Sequence, residues 1–129
     1  MYSSRAKIWY NPSSPNTVYR KWWAVLLIPK NIVFYYQSMI LKETGVKLAT
    51  SSWGPHISFI RGEPPPYEEF WKVYNGEIVD FFYYPPCIPG NTHWTIPVQC
   101  KRLEDIRTEL GLEPRPSIDF HITVGKIVS

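Results

Sequence analysis

The sequence predicts an α+β fold: a single domain, residues 1–129, of two pseudo-symmetric strand–helix–strand lobes around a central cleft. The length suits one domain with a substantial core. Short runs rich in β-branched and aromatic residues alternate with stretches of helical character. The order of these elements repeats, and each round of the repeat ends in a strand that carries a histidine.

The first strands are separated by proline-rich turns. Residues 5–10 (RAKIWY) predict a short strand, and residues 11–17 have loop composition, with two prolines and two asparagines. Residues 18–28 (VYRKWWAVLLI) predict a long strand, and their nearly continuous apolar end indicates burial on both faces. Pro29 ends this strand.

A helix follows, and a histidine strand comes after it. Asn31 can cap a helix that runs to about Thr44, with its apolar residues mostly on one face. Gly45 stops the helix. Residues 47–52 predict a polar connection with room for a short strand, and the first histidine strand lies within 53–63.

The middle of the chain is a connection. The three prolines at 64–66 break the chain, residues 67–74 predict a short helix, and Asn75-Gly76 predicts a turn. This connection separates the two halves of the predicted repeat.

The second half repeats the plan of the first. Residues 77–84 (EIVDFFYY) predict a strand, and 85–91 predict a proline-rich loop. Residues 92–100 predict a strand in which Pro97 indicates an edge position or a bulge. Residues 102–110 predict a helix that ends at a glycine.

This repetition indicates a diverged internal duplication with halves at about residues 5–63 and 77–129. The tripeptide beginning at Trp23 aligns with the one beginning at Trp94, each on the strand before a helix. A pseudo-twofold axis between the halves would bring their last strands to one cleft.

The same short motif ends both halves. His56 and Ser58 are two residues apart within a strand-forming run, and so are His121 and Thr123 within residues 117–128. Residues i and i+2 of a strand point to one face. Each strand is therefore predicted to present an imidazole and a hydroxyl side by side.

Such a set of side chains suits the hydrolysis of a phosphodiester. A base must take a proton from the attacking oxygen, an acid must protonate the leaving oxygen, and donors must hold the non-bridging oxygens. Histidines titrate near neutral pH, so we assign His56 and His121 to the acid and base roles, with their order open. Ser58 and Thr123 are assigned to bind the phosphate.

Four aromatic residues are candidates for stacking on a nucleobase. Small nucleotide sites commonly use aromatic platforms, although aromatic residues on strands also build cores. The candidates are Trp23, Trp94, Trp53 and Tyr10.

Two cations follow the motifs at a constant spacing. Arg61 and Lys126 each lie five residues after their histidine and could add positive charge beside a phosphate. That odd spacing predicts the opposite strand face, unless Gly62 or Gly125 marks a bulge. A solvated charge at a strand end is the alternative.

A third histidine has a similar neighbour. His93 is followed at the second position by Thr95, but it lies on the strand before a helix. We therefore predict a structural or coincidental histidine, with Trp22 as its counterpart in the first half.

The two motifs and the plan of elements resemble the 2H phosphoesterase superfamily, the LigT-like phosphodiesterases. His56 and His121 lie 65 residues apart, each in a His-x-Ser/Thr strand. The resemblance implies a bilobal fold and metal-independent action on 2′,3′-cyclic phosphates, 2′-5′ linkages or small cyclic nucleotides. In length the chain resembles compact phage members, some of which cleave cyclic oligonucleotide signals of bacterial defence.

The composition and charge of the chain limit the classes of binding partner and the compartment that we expect. A net charge of +3 permits a phosphate-bearing ligand and is too weak to predict duplex DNA binding. The longest apolar run, 22–29, is too short to span a bilayer, and no secretory core appears near Met1. Cys87 and Cys100 are predicted to remain thiols in a reducing compartment. We expect a cytoplasmic protein, in the host cytoplasm if viral.

No cofactor is expected, because the spacing of Asp80, Asp119 and Glu63 does not favour a metal site with the histidines. The rival hypothesis is a nucleotide- or RNA-binding module that has lost the reaction. The substrate, its base preference and the oligomeric state stay open.

Overall fold

The computed structural model describes residues 1–12, 21–51 and 53–128. In this part of the chain two helices pack on strands that form one sheet. The elements are β1 (Tyr2–Tyr10), β2 (Trp23–Leu27), α1 (Lys30–Thr44), β3 (Leu48–Ala49), β4 (His56–Arg61), a 3₁₀ turn (Glu68–Phe70), β5 (Ile78–Tyr83), β6 (His93–Gln99), α2 (Lys101–Glu109) and β7 (His121–Ile127).

The sheet has the strand order β3-β7-β6-β5-β1-β2-β4, and each pairing among the described strands is antiparallel. The first half contributes β1, β2 and β4 in the same relation as β5, β6 and β7 of the second half, and the halves join through β1 and β5. The sheet curls, so Cα atoms of β4 and β7 come within 8 Å. The α+β class is thereby confirmed, and the histidine strands meet although they lie far apart in the sheet order.

One face of the sheet forms the core against both helices. The nearly continuous apolar stretch of β2 is buried on both faces, as its sequence predicts, with Trp23 4% and Leu26 0% exposed. The largest of the fully buried side chains come from strands of both halves and from α2 with its C-cap. They are Phe59, Phe81, Ile8, Leu26, Ile57, Ile60, Ile96, Leu103, Ile106, Leu110 and Ile122, together with one charged residue, Arg107.

The first helix begins and ends for different reasons. Its C-terminus is as predicted: Gly45 adopts a φ of 76°, and its N–H bonds to the carbonyl of Leu41. The N-cap prediction was wrong, because Pro29 occupies the cap and Asn31 lies inside the first turn. Proline has a φ compatible with this position and no N–H to satisfy.

Two other predictions about elements need correction. The helix predicted over 67–74 is only a 3₁₀ turn, because Trp71 is extended and Lys72 has a φ of 69°. The strand containing Pro97 is not at an edge, since β6 lies between β5 and β7. Its pairing with β5 covers only Gln99 and Val98, so that ladder ends beside the proline, which lacks a donor.

The beginning of the long strand predicted over 18–28 falls partly outside the described residues, as does most of the loop predicted over 11–17. β1 begins at Tyr2, three residues before its predicted start. No helix in residues 1–12, 21–51 or 53–128 is long and apolar enough to cross a membrane.

Candidate active site

The two histidine strands border one cavity. Its volume is about 290 Å³, and both motifs contribute their histidine and their hydroxyl residue to its wall. The rest of the wall comes from the residues after Ser58 and from the loop before β7. The lining residues are His56, Ser58, Phe59, Ile60, Arg61, Glu63, Pro116, Ser117, Ile118, His121 and Thr123.

Both imidazole rings are held in the same way. His56 Nδ1 lies 2.8 Å from the carbonyl oxygen of Gly54, and His121 Nδ1 lies 2.8 Å from that of Asp119. A carbonyl oxygen can only accept, so Nδ1 must carry the proton in each ring. Nε2 therefore remains on both rings as the nitrogen that can accept or donate a proton toward a ligand.

The environment of His56 favours its neutral form. Burial lowers its pKa below the ordinary value, and the positive charges of Arg61 and His121 lower it further. The hydrogen bond to Gly54 opposes these effects without cancelling them. At a given pH near neutrality, His56 is thus more often an unprotonated base than an unperturbed histidine is.

A β-bulge in β4 turns a cation toward the cavity. The register between β2 and β4 shifts between Ser58 and Ile60, which leaves Phe59 as an extra residue. Arg61 then pairs with Trp23 and lies on the same face as Ser58, although their spacing is odd. The expectation of the opposite face does not hold, and the bulge falls at Phe59 rather than at the glycine after Arg61.

The second half has a bulge at the equivalent place. The register between β6 and β7 shifts between Thr123 and Gly125, so Val124 is the extra residue and Lys126 pairs with His93. Lys126 is exposed and does not contribute to the cavity wall. Arg61 and Lys126 therefore occupy equivalent positions in the strand register, but only Arg61 lines the cavity.

Each bulge is held by a helix of the other half. Arg107 of α2 donates through Nη1 to the carbonyl of Phe59 at 2.8 Å, and Gln37 of α1 donates to the carbonyl of Val124 at 2.8 Å. Arg107 also forms a two-fold contact with the carboxylate of Glu63, at 2.8 Å for each oxygen. These bonds to Arg107 are the main reason that the pKa of Glu63 is lowered, so its carboxylate stays ionised in the cavity wall.

Trp23 lies beneath the first motif. Its indole Nε1 donates to Ser58 Oγ at 3.1 Å. Its ring meets that of His56 edge-on at 5.9 Å and that of Trp53 at 5.2 Å. With 4% of its surface exposed, Trp23 has no face open for stacking on a base, which corrects that expectation.

The strand register also corrects the expected match between tryptophans. Trp23 pairs with Arg61, while Trp94 pairs with Gly125, so the position equivalent to Trp23 is His93. Trp94 is half-buried and packs against the core. The alignment of the two halves by tryptophan was therefore wrong by one residue.

The remaining aromatic candidates differ in exposure. Tyr10 is 4% exposed and packs against Phe59 and Trp71 in the core, so it does not reach the cavity. Trp53 is half-buried, lies beside His56 in a narrow cleft and does not border the cavity of the histidines.

Sequence reasoning missed Arg107 as part of this region. It is 1% exposed, and it occupies the apolar face of α2 between Leu103 and Leu110. An arginine four residues after one leucine and three before another is unusual on a buried helical face. That break in the apolar pattern was the available signal. The loop of Pro116, Ser117 and Ile118, which also lines the cavity, had no such signal.

Other groups in the described ranges do not add to this site. Residues 1–12, 21–51 and 53–128 contain no set of three His, Cys, Asp or Glu side chains placed to hold a metal ion. Cys87 and Cys100 are free thiols, and burial raises the pKa of Cys87 to about 11. A larger surface depression of about 1380 Å³ lies over α1, and neither histidine strand contributes to it.

Searches of family models, of curated proteins and of solved structures found no match to this chain. The resemblance to the 2H phosphoesterases is thus carried by two motifs and by the plan of elements, and membership stays a prediction.

Proposed function

We propose that this protein is a metal-independent phosphodiesterase of the 2H type. Its substrate would be a small cyclic nucleotide or oligonucleotide, including a cyclic defence signal, or an RNA-type end with a 2′,3′-cyclic or 2′-5′ linkage. The observation that carries the proposal is the meeting of His56 and His121 at one cavity, each with Nδ1 bonded to a backbone carbonyl. This arrangement leaves two Nε2 atoms for proton transfer, as the reaction requires.

The lowered pKa of His56 supports its assignment as the base. His56 Nε2 takes a proton from the attacking water, whose oxygen forms a bond to phosphorus. The bond from phosphorus to the leaving oxygen breaks, and that oxygen takes the proton of His121 Nε2. The reaction leaves a phosphomonoester and a free hydroxyl, which are on the same molecule when the substrate is cyclic. Proton exchange with solvent then restores both rings.

The other lining groups suit the charge of a phosphodiester. Ser58 and Thr123 can donate to the non-bridging oxygens, and the guanidinium of Arg61 can offset negative charge that develops on them. Among the described residues that line the cavity, Glu63 is the one acidic side chain, and its charge is offset by Arg107. The two arginines, Arg61 and Arg107, thus outweigh the one carboxylate of Glu63 in formal charge.

The size of the cavity bears on the substrate. A volume of about 290 Å³ is at the lower limit of the roughly 300–1,000 Å³ usual for ligand pockets. It suits one phosphate with its adjoining ribose or base. The remainder of a cyclic dinucleotide or trinucleotide would have to lie outside the cavity, where the lining residue Ile118 is 75% exposed.

The test is turnover of a substrate panel in the presence of a chelator. The panel contains 2′,3′-cyclic mononucleotides, 2′-5′ oligonucleotides, and cyclic di- and trinucleotides, each with His56→Ala and His121→Ala as inactive references. We expect at least one substrate to be hydrolysed in EDTA. Turnover that is lost in EDTA and restored by a divalent ion would contradict the metal-free mechanism. Binding without turnover across the panel would support the rival hypothesis of a silent binding module.

A further inference from the structure

We infer that Trp23 is a positioning residue that makes the Ser58 hydroxyl a hydrogen-bond donor toward the cavity. The expected effect on turnover rests on the proposed function. The inference deepens that function by stating which kind of ligand atom the Ser58 hydroxyl can bind. With its proton directed away from the indole, Ser58 can meet an acceptor atom of the ligand, such as an oxyanion oxygen.

The direction of the hydrogen bond follows from the chemistry of its two partners. An indole N–H can only donate, so Ser58 Oγ must be the acceptor of the 3.1 Å bond from Trp23. The Ser58 proton then points away from the indole. Since Ser58 borders the cavity, that proton is available to a ligand in the cavity.

The indole is held firmly enough to act in this way. Trp23 is 4% exposed and lies edge-on to Trp53 at 5.2 Å. Trp53 in turn lies edge-on to Trp9 at 6.3 Å. A buried aromatic side chain packed on such neighbours keeps one orientation, so its N–H has a fixed direction.

The second half is built differently at the equivalent place. His93 occupies the position of Trp23 in the register, and it is exposed, with Nδ1 2.7 Å from Thr92 Oγ1. The hydroxyls of Ser58 and Thr123 are therefore not equivalent. We expect Ser58 to contribute more to anion binding than Thr123, because its donor orientation is set before the ligand arrives.

The experiment compares Trp23→Phe, Ser58→Ala and the double variant. Phenylalanine keeps an aromatic ring and removes the N–H. The first readout is the affinity for inorganic phosphate, measured through the NMR signals of the His56 imidazole. The second readout is kcat/KM on any substrate found in the panel. The control is Trp71→Phe, which also removes an indole donor, here bonded to Asn11 Oδ1 at 2.9 Å, outside the cavity wall.

We expect Trp23→Phe to weaken phosphate binding by about 3- to 20-fold, no more than Ser58→Ala does, since one hydrogen bond is affected. The double variant should bind phosphate like Ser58→Ala alone, and Trp71→Phe should bind like the wild type. Independent losses that multiply in the double variant, or an unchanged affinity in Trp23→Phe, would overturn the inference.

A second measurement does not depend on how well Trp23→Phe folds. In Ser58→Ala the indole N–H of Trp23 loses its acceptor, so its ¹H resonance should move and the other indole resonances should not. An unmoved resonance would overturn the inference. Phosphate binding that follows the expected pattern in a protein without turnover would support the inference and contradict the proposed function, whereas failure of the wild type to bind phosphate would contradict both.

Discussion

Arg107 donates a 2.8 Å hydrogen bond to the carbonyl of Phe59, the extra residue of the bulge in β4. The two residues are 48 positions apart and belong to different halves of the fold. Gln37 makes the matching contact to Val124 in the other direction. Each histidine strand is thus held at its bulge by the helix of the opposite half, and the bulge in β4 brings Arg61 to the face of the motif.

Replacement of Arg107 should strongly destabilise the protein. In Arg107→Met the Glu63 carboxylate loses its partner and the Phe59 carbonyl loses its donor, which should cost about 3–5 kcal/mol. Urea unfolding measures this change. The control is Arg5→Met, which breaks the exposed ion pair with Asp80.

That control should lose no more than about 1 kcal/mol, as surface ion pairs usually do. Glu63→Gln should recover part of the loss in the Arg107→Met background, because a neutral amide costs less without a partner than a carboxylate does. Equal unfolding free energies for the two arginine variants would show that the buried hydrogen bonds of Arg107 stabilise the protein no more than an exposed ion pair does.

The two histidines should be essential and non-additive. His56→Ala and His121→Ala should each lower kcat by about 10²- to 10⁴-fold, the usual contribution of a general acid or base. The double variant should be little worse than either single variant, because the residues act as one unit. Steady-state kinetics on folded variants, judged by circular dichroism, measures this effect.

His93→Ala is the control for the histidine series, and its rates should be near those of the wild type. Ser58→Ala and Thr123→Ala should lose less, about 10- to 150-fold, since each removes one hydrogen bond to a charged group, worth about 1.5–3 kcal/mol. If His93→Ala abolished turnover while either motif histidine proved dispensable, the assignment of the two motifs would be wrong.

Arg61 and Lys126 should differ in importance. Arg61 borders the cavity and Lys126 does not, although both follow a bulge. Arg61→Gln should lower kcat/KM by about 10- to 100-fold through the lost charge-assisted contact. Lys126→Gln, the matched control, should change kcat/KM by less than about 3-fold at moderate salt. Equal effects would indicate that long-range charge, rather than contact in the cavity, is responsible.

The lowered pKa of His56 should appear in the stability of the protein. Between the folded value and the unfolded value near 6.5, the unfolded chain binds more protons at this residue. The unfolding free energy therefore rises with pH through that window. The stability that the neutral form of His56 contributes is lost as pH falls through the same window. Urea unfolding from pH 5 to 7.5 measures the slope, and His56→Gln should make it shallower. A slope unchanged in His56→Gln would mean that other groups set the acid sensitivity.

The acid limb of the kcat/KM profile provides a separate measurement of the same group. If His56 is the base in the free enzyme, that limb should lie below the ordinary pKa of histidine. A limb at or above the ordinary value would reassign the base.

The sequence by itself determined the features that depend on local pattern. Alternation of apolar and polar residues placed His56 with Ser58, and His121 with Thr123, on one face of a strand. The positive φ available to glycine ended α1 at Gly45. Such features were predictable because each depends on neighbours a few residues away.

Tertiary structure alone decided the features that join distant parts of the chain. The bulge at Phe59, which reverses the expected face of Arg61, depends on strand register and has its carbonyl held by Arg107. The hydrogen bond from Trp23 to Ser58 joins residues 35 positions apart. Trp23 was expected to stack on a base, and in the structure it is a buried hydrogen-bond donor. A strand repeats every two residues, so one inserted residue inverts its pattern, and only pairing with another strand shows where the insertion falls.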